Sequence, residues 1–177
     1  LRRQRQMCIR DRNVYTYNDR AQQFFAEAGV WVNTVPIELN RGEIMHRDNQ
    51  RSEMIVYGYY PLMTSAQCVH KNTKACDKCP TITYLKDRYQ AQFPVKNYCS
   101  ACYNVVYNSL PVMLFSNIRE LQKAGLRTFR LDFTMESEKM TGNVMNLLEE
   151  FLYEDRRQYP EQWKEHYTNG HYKRGVE

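Results

Sequence analysis

Residues 111–134, PVMLFSNIRELQKAGLRTFRLDFT, read as strand, helix and strand in succession, and this stretch decides the expected fold. Pro111 to Phe115 is a short apolar run. Ile118, Leu121 and Ala124 then recur at helical spacing, Asn117 and Glu120 have the spacing of a capping box, and Gly125 supplies the stop. In TFRLDFT, Phe129, Leu131 and Phe133 alternate with Arg130 and Asp132, the two-residue period of a strand. Two strands joined by a helical crossover predict parallel pairing with the helix packed outside.

The same rhythm continues outward. NVYTY, residues 13–17, is a short β-like run, and Asn18 or Asp19 can cap a helix whose Ala21, Phe24, Phe25 and Ala28 share one face before Gly29. VWVNTVPIEL, residues 30–39, is rich in β-branched residues and reads as a buried strand with Glu38 at its C-terminal end. NRGEIMHRD (40–48) is a short helical turn, EMIVYGYYPLM (53–63) another strand, and Met140, Val144, Leu147, Leu148 and Phe151 stripe a longer helix downstream. Four or five strands alternating with helices predict an α/β fold in a chain of 177 residues. A complete eight-stranded α/β barrel takes about 250 residues. The expectation is therefore a partial (β/α) barrel, TIM-barrel-like, the C-terminal part of a larger barrel, with a cysteine-rich insertion. Its partner would be the missing N-terminal part of that barrel. The domain so read spans 13–153, and residues 154–177 form a polar, aromatic tail of the same domain.

Charge adds little. The first twelve residues, LRRQRQMCIRDR, hold five arginines against one aspartate, which is four of the five net positive charges of the chain. This opening has no periodicity and no caps, and its wording is similar to translated adapter sequence. Residues 1–12 therefore read as a non-native or disordered leader, and Cys8 is set aside. No apolar run reaches membrane-spanning length and no signal-peptide pattern is present, so the expected location is the cytoplasm, without membrane contact.

Five of the six cysteines fall in CVHKNTKACDKCPTITYLKDRYQAQFPVKNYCSAC, residues 68–102. A disulfide framework is the weakest explanation, because cytosolic thiols stay reduced and five is an odd number for pairing. Scattered buried thiols rarely crowd so closely. Cys76-x2-Cys79 and Cys99-x2-Cys102 are two pairs separated by nineteen residues, a spacing that suits a structural zinc site. Thiolates also hold iron–sulfur clusters, whose spacings vary more. With either metal, one of the five thiols is surplus, and spacing alone favours zinc. Within the segment, ITYLKDRYQAQFPV (82–95) reads as a hairpin.

VYGYYPLMTSAQC (56–68) and FPVKNYCSACYNVVYNSLPVMLF (93–115) resemble the collagenase-like peptidase family, family U, number thirty-two, of peptidase nomenclature. The resemblance extends through TVPIELNRGEI (34–44), FRLDFTMES (129–137) and TNGHYKRGVE (168–177), nearly the whole chain beyond the leader. It implies a barrel-like α/β catalytic domain. It also implies either a hydrolase acting on collagen-like or other peptides, or an enzyme of RNA or ubiquinone hydroxylation bearing a 4Fe-4S cluster. Carried over to this chain, the cluster ligands are Cys68, Cys76, Cys99 and Cys102, with Cys79 the spare, which moves the preference from zinc to iron–sulfur. The expected function is iron–sulfur-dependent hydroxylation of RNA or a small molecule. The alternative is a peptidase with a structural zinc or no metal.

Candidate catalytic groups are Glu38, at what would be the active face of a barrel, Arg130 and Asp132 on one side of a strand, and Glu136 just beyond it. Candidate substrate contacts are Arg88 in the charged turn of the hairpin, Asn104 and Asn108 four residues apart, and His171 and Arg174 in GHYKRG. No GxSxG elbow and no HExxH helix is present, so the peptidase expectation rests on the family's name.

Overall fold

The computed structural model describes residues 15–30, 32–73, 78, 81–154 and 156–176. The leader at 1–12, with Cys8, and also Cys76 and Cys79 lie outside the described residues. Helices are α1 (Asp19–Glu27), α2 (Arg41–His46), α3 (Val69–Thr73), α4 (Ile118–Lys123) and α5 (Glu138–Tyr153). Strands are β1 (Asn33–Thr34), β2 (Ser52–Gly58), β3 (Pro61–Ser65), β4 (Ile82–Lys86), β5 (Gln92–Tyr98), β6 (Tyr103–Tyr107), β7 (Val112–Met113) and β8 (Thr128–Asp132).

The expected partial barrel is not what the chain builds: the described strands form two separate four-stranded sheets. In the first, β2 is central. It pairs in parallel with β8 along one edge, and its other edge is shared by β1, parallel, and β7, antiparallel. The second sheet is wholly antiparallel in the order β3-β6-β5-β4. The cysteine-rich segment is thus no insertion on a barrel, since it contributes β4 and β5 to the second sheet, beside β3 and β6.

Three local causes defeat the barrel reading. The run 53–63 breaks at Gly58, where the backbone takes a φ of +153° and a Cβ would lie 2.8 Å from the Asp132 carbonyl oxygen. Before the break the chain belongs to the first sheet, and after it to the second. Among the described residues of the 30–39 run only Asn33 and Thr34 are strand, because Pro36 offers no N–H and the chain turns instead, Leu39 N donating to Pro36 O. The 111–134 stretch makes a two-residue β7, followed at once by a 3-10 turn at Phe115–Asn117. The chain therefore reverses against β2 before α4 and returns as β8 on the opposite edge. The strand–helix–strand logic does hold once, in β1–α2–β2, where Asn40 and Glu43 form a capping box.

The core lies between the first sheet and its helices. Met54, Ile55, Val56 and Tyr57 of β2 are all buried, as a strand covered on both faces requires. Val144, Leu147 and Phe151 of α5 pack inward, with Phe151 5.1 Å from the Tyr159 ring. The tail is part of this core. Tyr159, Trp163 and Tyr172 are buried, and Thr168 exchanges backbone hydrogen bonds with the β7 region. By contrast α1, capped by Asn18 as expected, buries no residue, and Phe24 is 65% exposed. Among the described residues no helix is long and apolar enough to cross a membrane.

Asn117 does not cap α4; its partner in the expected box, Glu120, is occupied elsewhere. Glu120 accepts hydrogen bonds from the Arg41 guanidinium and from the Tyr172 hydroxyl at 2.8 Å, joining α2, α4 and the tail. The Arg41 hydrogen bond, with help from Tyr172, holds its carboxyl below the usual glutamate range.

Two outcomes follow for stability. Gly58→Ala forces a side chain against Asp132 in a backbone region unsuited to it, and should lower the urea-unfolding free energy by about 1–3 kcal/mol. Because the folded pKa of Glu120 is depressed, its contribution is complete above the unfolded value near 4.3 and is lost as pH falls through the folded value. Wild type should therefore exceed Glu120→Gln in thermal stability at pH 7, and the gap should close in acid below about pH 4.

Candidate metal centre at the tip of the second sheet

Residues 97–104 read Asn-Tyr-Cys-Ser-Ala-Cys-Tyr-Asn, nearly the same in both directions. The antiparallel register of β5 on β6 turns that symmetry into geometry, placing Asn97 opposite Asn104 and Tyr98 opposite Tyr103. Cys99 and Cys102 are left at the two ends of the turn that joins the strands. The two tyrosine rings stack, centroids 4.8 Å apart and 8° from parallel. The Tyr98 hydroxyl lies 3.1 Å from that of Tyr107, and the Lys96 ammonium sits over the Tyr98 ring at 5.6 Å. The turn is closed by Ala101 N donating to Tyr98 O at 3.1 Å, and Cys102 adopts a left-handed φ of +53°. Such a conformation is uncommon for a residue with a Cβ and is found where the surroundings hold it in place.

The third described cysteine arrives from the other side of the sheet. β3 pairs with β6 as far as Ser65 opposite Asn104, and the chain then turns through Ala66 and Gln67 into Cys68 at the start of α3. The Asn104 side-chain amide donates to the Gln67 carbonyl, the peptide unit immediately before Cys68. Cys68, Cys99, Cys102 and Asn104 line one cavity of about 320 Å³, together with the two stacked tyrosines, Lys71 and Lys78. Cys68 and Cys99 are half-buried and Cys102 is exposed. Among the described residues lining the cavity, the charged side chains are those of Lys71 and Lys78. Lys78 is one of the two residues between Cys76 and Cys79 in the sequence, and it too has a left-handed backbone, with φ +54°.

The two kinds of centre ask for different donor geometry. Zinc holds its sulfurs at about 2.3 Å, so four thiolates must converge on one point. Among the described residues no three of the histidines, cysteines, aspartates and glutamates are grouped so as to hold a single ion. A cluster spreads its ligands over several metal atoms and needs more room. One water needs about 10–15 Å³ of such space, so a cavity of about 320 Å³ does not discriminate between one ion and a cluster.

The other sequence-derived candidates are dispersed. Glu38 lies in the loop after β1 and accepts from the Tyr17 hydroxyl, so its place at a barrel mouth disappears with the barrel. Arg130 pairs with Glu53 at 3.3 Å across β8 and β2, a bond within the first sheet. Asp132 ends β8 against Gly58. Glu136 caps its own loop, Oε2 accepting from the N–H groups of Thr134 (2.7 Å) and Met135 (2.9 Å). Together with burial, Glu136 pushes the Tyr57 hydroxyl above its ordinary pKa. Arg88 lies over the Tyr89 ring at 4.7 Å in the β4–β5 turn, at the opposite end of the second sheet from the cysteines. Asn108 accepts from Ser109 N and braces the turn after β6. His171 and Arg174 share the closing turn, His171 Nδ1 lying 3.1 Å from Gly175 O.

Of the predicted residues, then, the structure gathers Cys68, Cys99, Cys102 and Asn104. Sequence reasoning missed Gln67, Lys71, Lys78, Asn97, Tyr98 and Tyr103. The signal for Asn97 and the two tyrosines was present in the mirrored text around the CxxC, which an antiparallel hairpin folds face to face. Compared with protein-family models, with curated proteins and with solved structures, the chain matches none.

Proposed function

We propose that this chain is a cytoplasmic iron–sulfur protein of the collagenase-like peptidase kind, acting in the hydroxylation of RNA or of a small molecule. The reading is carried by one observation: Cys68 lines the same cavity as Cys99 and Cys102, three thiols brought from two separate chain segments to one chamber. Cys76 is the fourth ligand in this reading and Cys79 the spare. Lys78, which lies between them in the sequence, borders the same cavity. The preference for a 4Fe-4S cluster over a single zinc comes from the resemblance of the sequence, and the cavity of about 320 Å³ has room for either.

When bound, such a cluster supplies one-electron chemistry. The chain's own residues hold and shield it. The stacked Tyr98 and Tyr103 flank the turn that presents Cys99 and Cys102, and Asn104 donates to the Gln67 carbonyl beside Cys68. Lys71 and Lys78 offset the negative charge of the thiolates.

Iron, zinc and labile sulfide per chain, measured after anaerobic purification beside a Cys99→Ala control, test the assignment. About four irons with matching sulfide are expected, lost in the control. About one zinc and no sulfide would overturn the cluster and return the peptidase alternative with a structural zinc.

A further inference from the structure

Asn104 is 1% exposed, so its side chain meets only the protein and what enters the cavity it lines. Its Nδ2 donates to the carbonyl of Gln67, and Gln67 N donates in turn to Ser65 Oγ at 3.1 Å. Ser65 is the residue that pairs with Asn104 in the β3–β6 ladder. One side chain thus ties the short run Ser65–Cys68 to the strand that carries Cys102 two residues before it. Oδ1 of Asn104 is buried with no hydrogen-bond partner among the described residues. A half-satisfied buried amide is unfavourable, and such groups call for a specific explanation. Aspartate has the same shape, but it would set a negative charge against the Gln67 carbonyl and the neighbouring thiolates. Leucine would fill the space but tie nothing.

We propose that Asn104 is the positioning residue of the cysteine site: through Gln67 it sets Cys68 at the distance from the Cys99–Cys102 turn that one metal centre requires. This rests on the metal reading above. Asn97, directly opposite, provides the internal control. It is equally buried at 3% exposed, and its Oδ1 likewise has no hydrogen-bond partner among the described residues, yet its amide donates to Thr81 Oγ1 and not to Gln67; the tie to Gln67, and not the unpaired oxygen, sets Asn104 apart.

The test begins with the full chain made metal-free with a chelator, alkylated by iodoacetamide, and read thiol by thiol by peptide mass spectrometry. In Asn104→Leu, Cys68 should react about tenfold faster relative to Cys99 than in wild type, the equivalent of one lost hydrogen bond. Asn97→Leu should leave that ratio unchanged. A milder variant, Asn104→Ser, keeps a donor and should fall between wild type and Asn104→Leu. In iron-loaded chain, Asn104→Leu should surrender iron to a chelator faster than Asn97→Leu does. An unchanged Cys68 to Cys99 ratio in both Asn104 variants, or an equal shift in Asn97→Leu, would overturn the proposal. Because the alkylation is done without metal, a wild-type chain that binds no iron would defeat the proposed function and leave the positioning result readable on its own.

Discussion

The register of β5 on β6 sets Asn97 against Asn104 and Tyr98 against Tyr103, and the cysteine site exists only in that register. Side chains alternate between the faces of a sheet, so a slip of one residue would turn each of them over and send the two thiols in different directions. Several interactions lock the pairing. The stacked rings contribute roughly 0.5–1.5 kcal/mol beyond the apolar area they bury. The Tyr98–Tyr107 hydroxyl contact and Lys96 over Tyr98 act only when the ring lies where it does. The strain of a left-handed Cys102, of order 1–3 kcal/mol, is offset by this clamp on either side of it.

The second sheet needs the first to hold it. It leaves the first sheet at Gly58 and returns to it at β7, and Lys96 reaches back to donate to the Thr134 carbonyl at 2.9 Å. Tyr57 against Phe133, 5.3 Å between centroids, packs beneath that link. The same lysine therefore touches both the loop after β8 and a tyrosine of the cysteine hairpin.

Local structure was legible in the sequence where the cause was local. Asn18 as a cap, the helical turn within 40–48, the stop at Gly125, the 82–95 hairpin and the stripe of α5 all depend on neighbours within a few residues. The barrel failed because pairing partners are chosen across the chain. Whether Val112 and Met113 run parallel or antiparallel to β2 depends on where the 3-10 turn sends the chain, and apolar content does not encode that. Gly58 was visible, but its meaning was not, since the close approach that demands glycine comes from Asp132, seventy-four residues away in sequence. At the site, the thiols stood out by chemistry and spacing. Gln67 acts through its carbonyl, which no side-chain pattern reveals. Glu120 illustrates the opposite error: its capping position was read correctly as a spacing, yet Arg41 and Tyr172 engage it more strongly than the helix end does.

The claim at the centre of this account is that Cys68, and not Cys79, completes the ligand set with the Cys99–Cys102 turn. The most direct measurement is the electron paramagnetic resonance spectrum of the reduced, iron-loaded chain, taken for Cys68→Ser and for Cys79→Ser against wild type. The account predicts a wild-type signal in Cys79→Ser and its loss or replacement in Cys68→Ser. A wild-type signal in Cys68→Ser with loss in Cys79→Ser would contradict it, and would assign the centre to the two CxxC pairs alone.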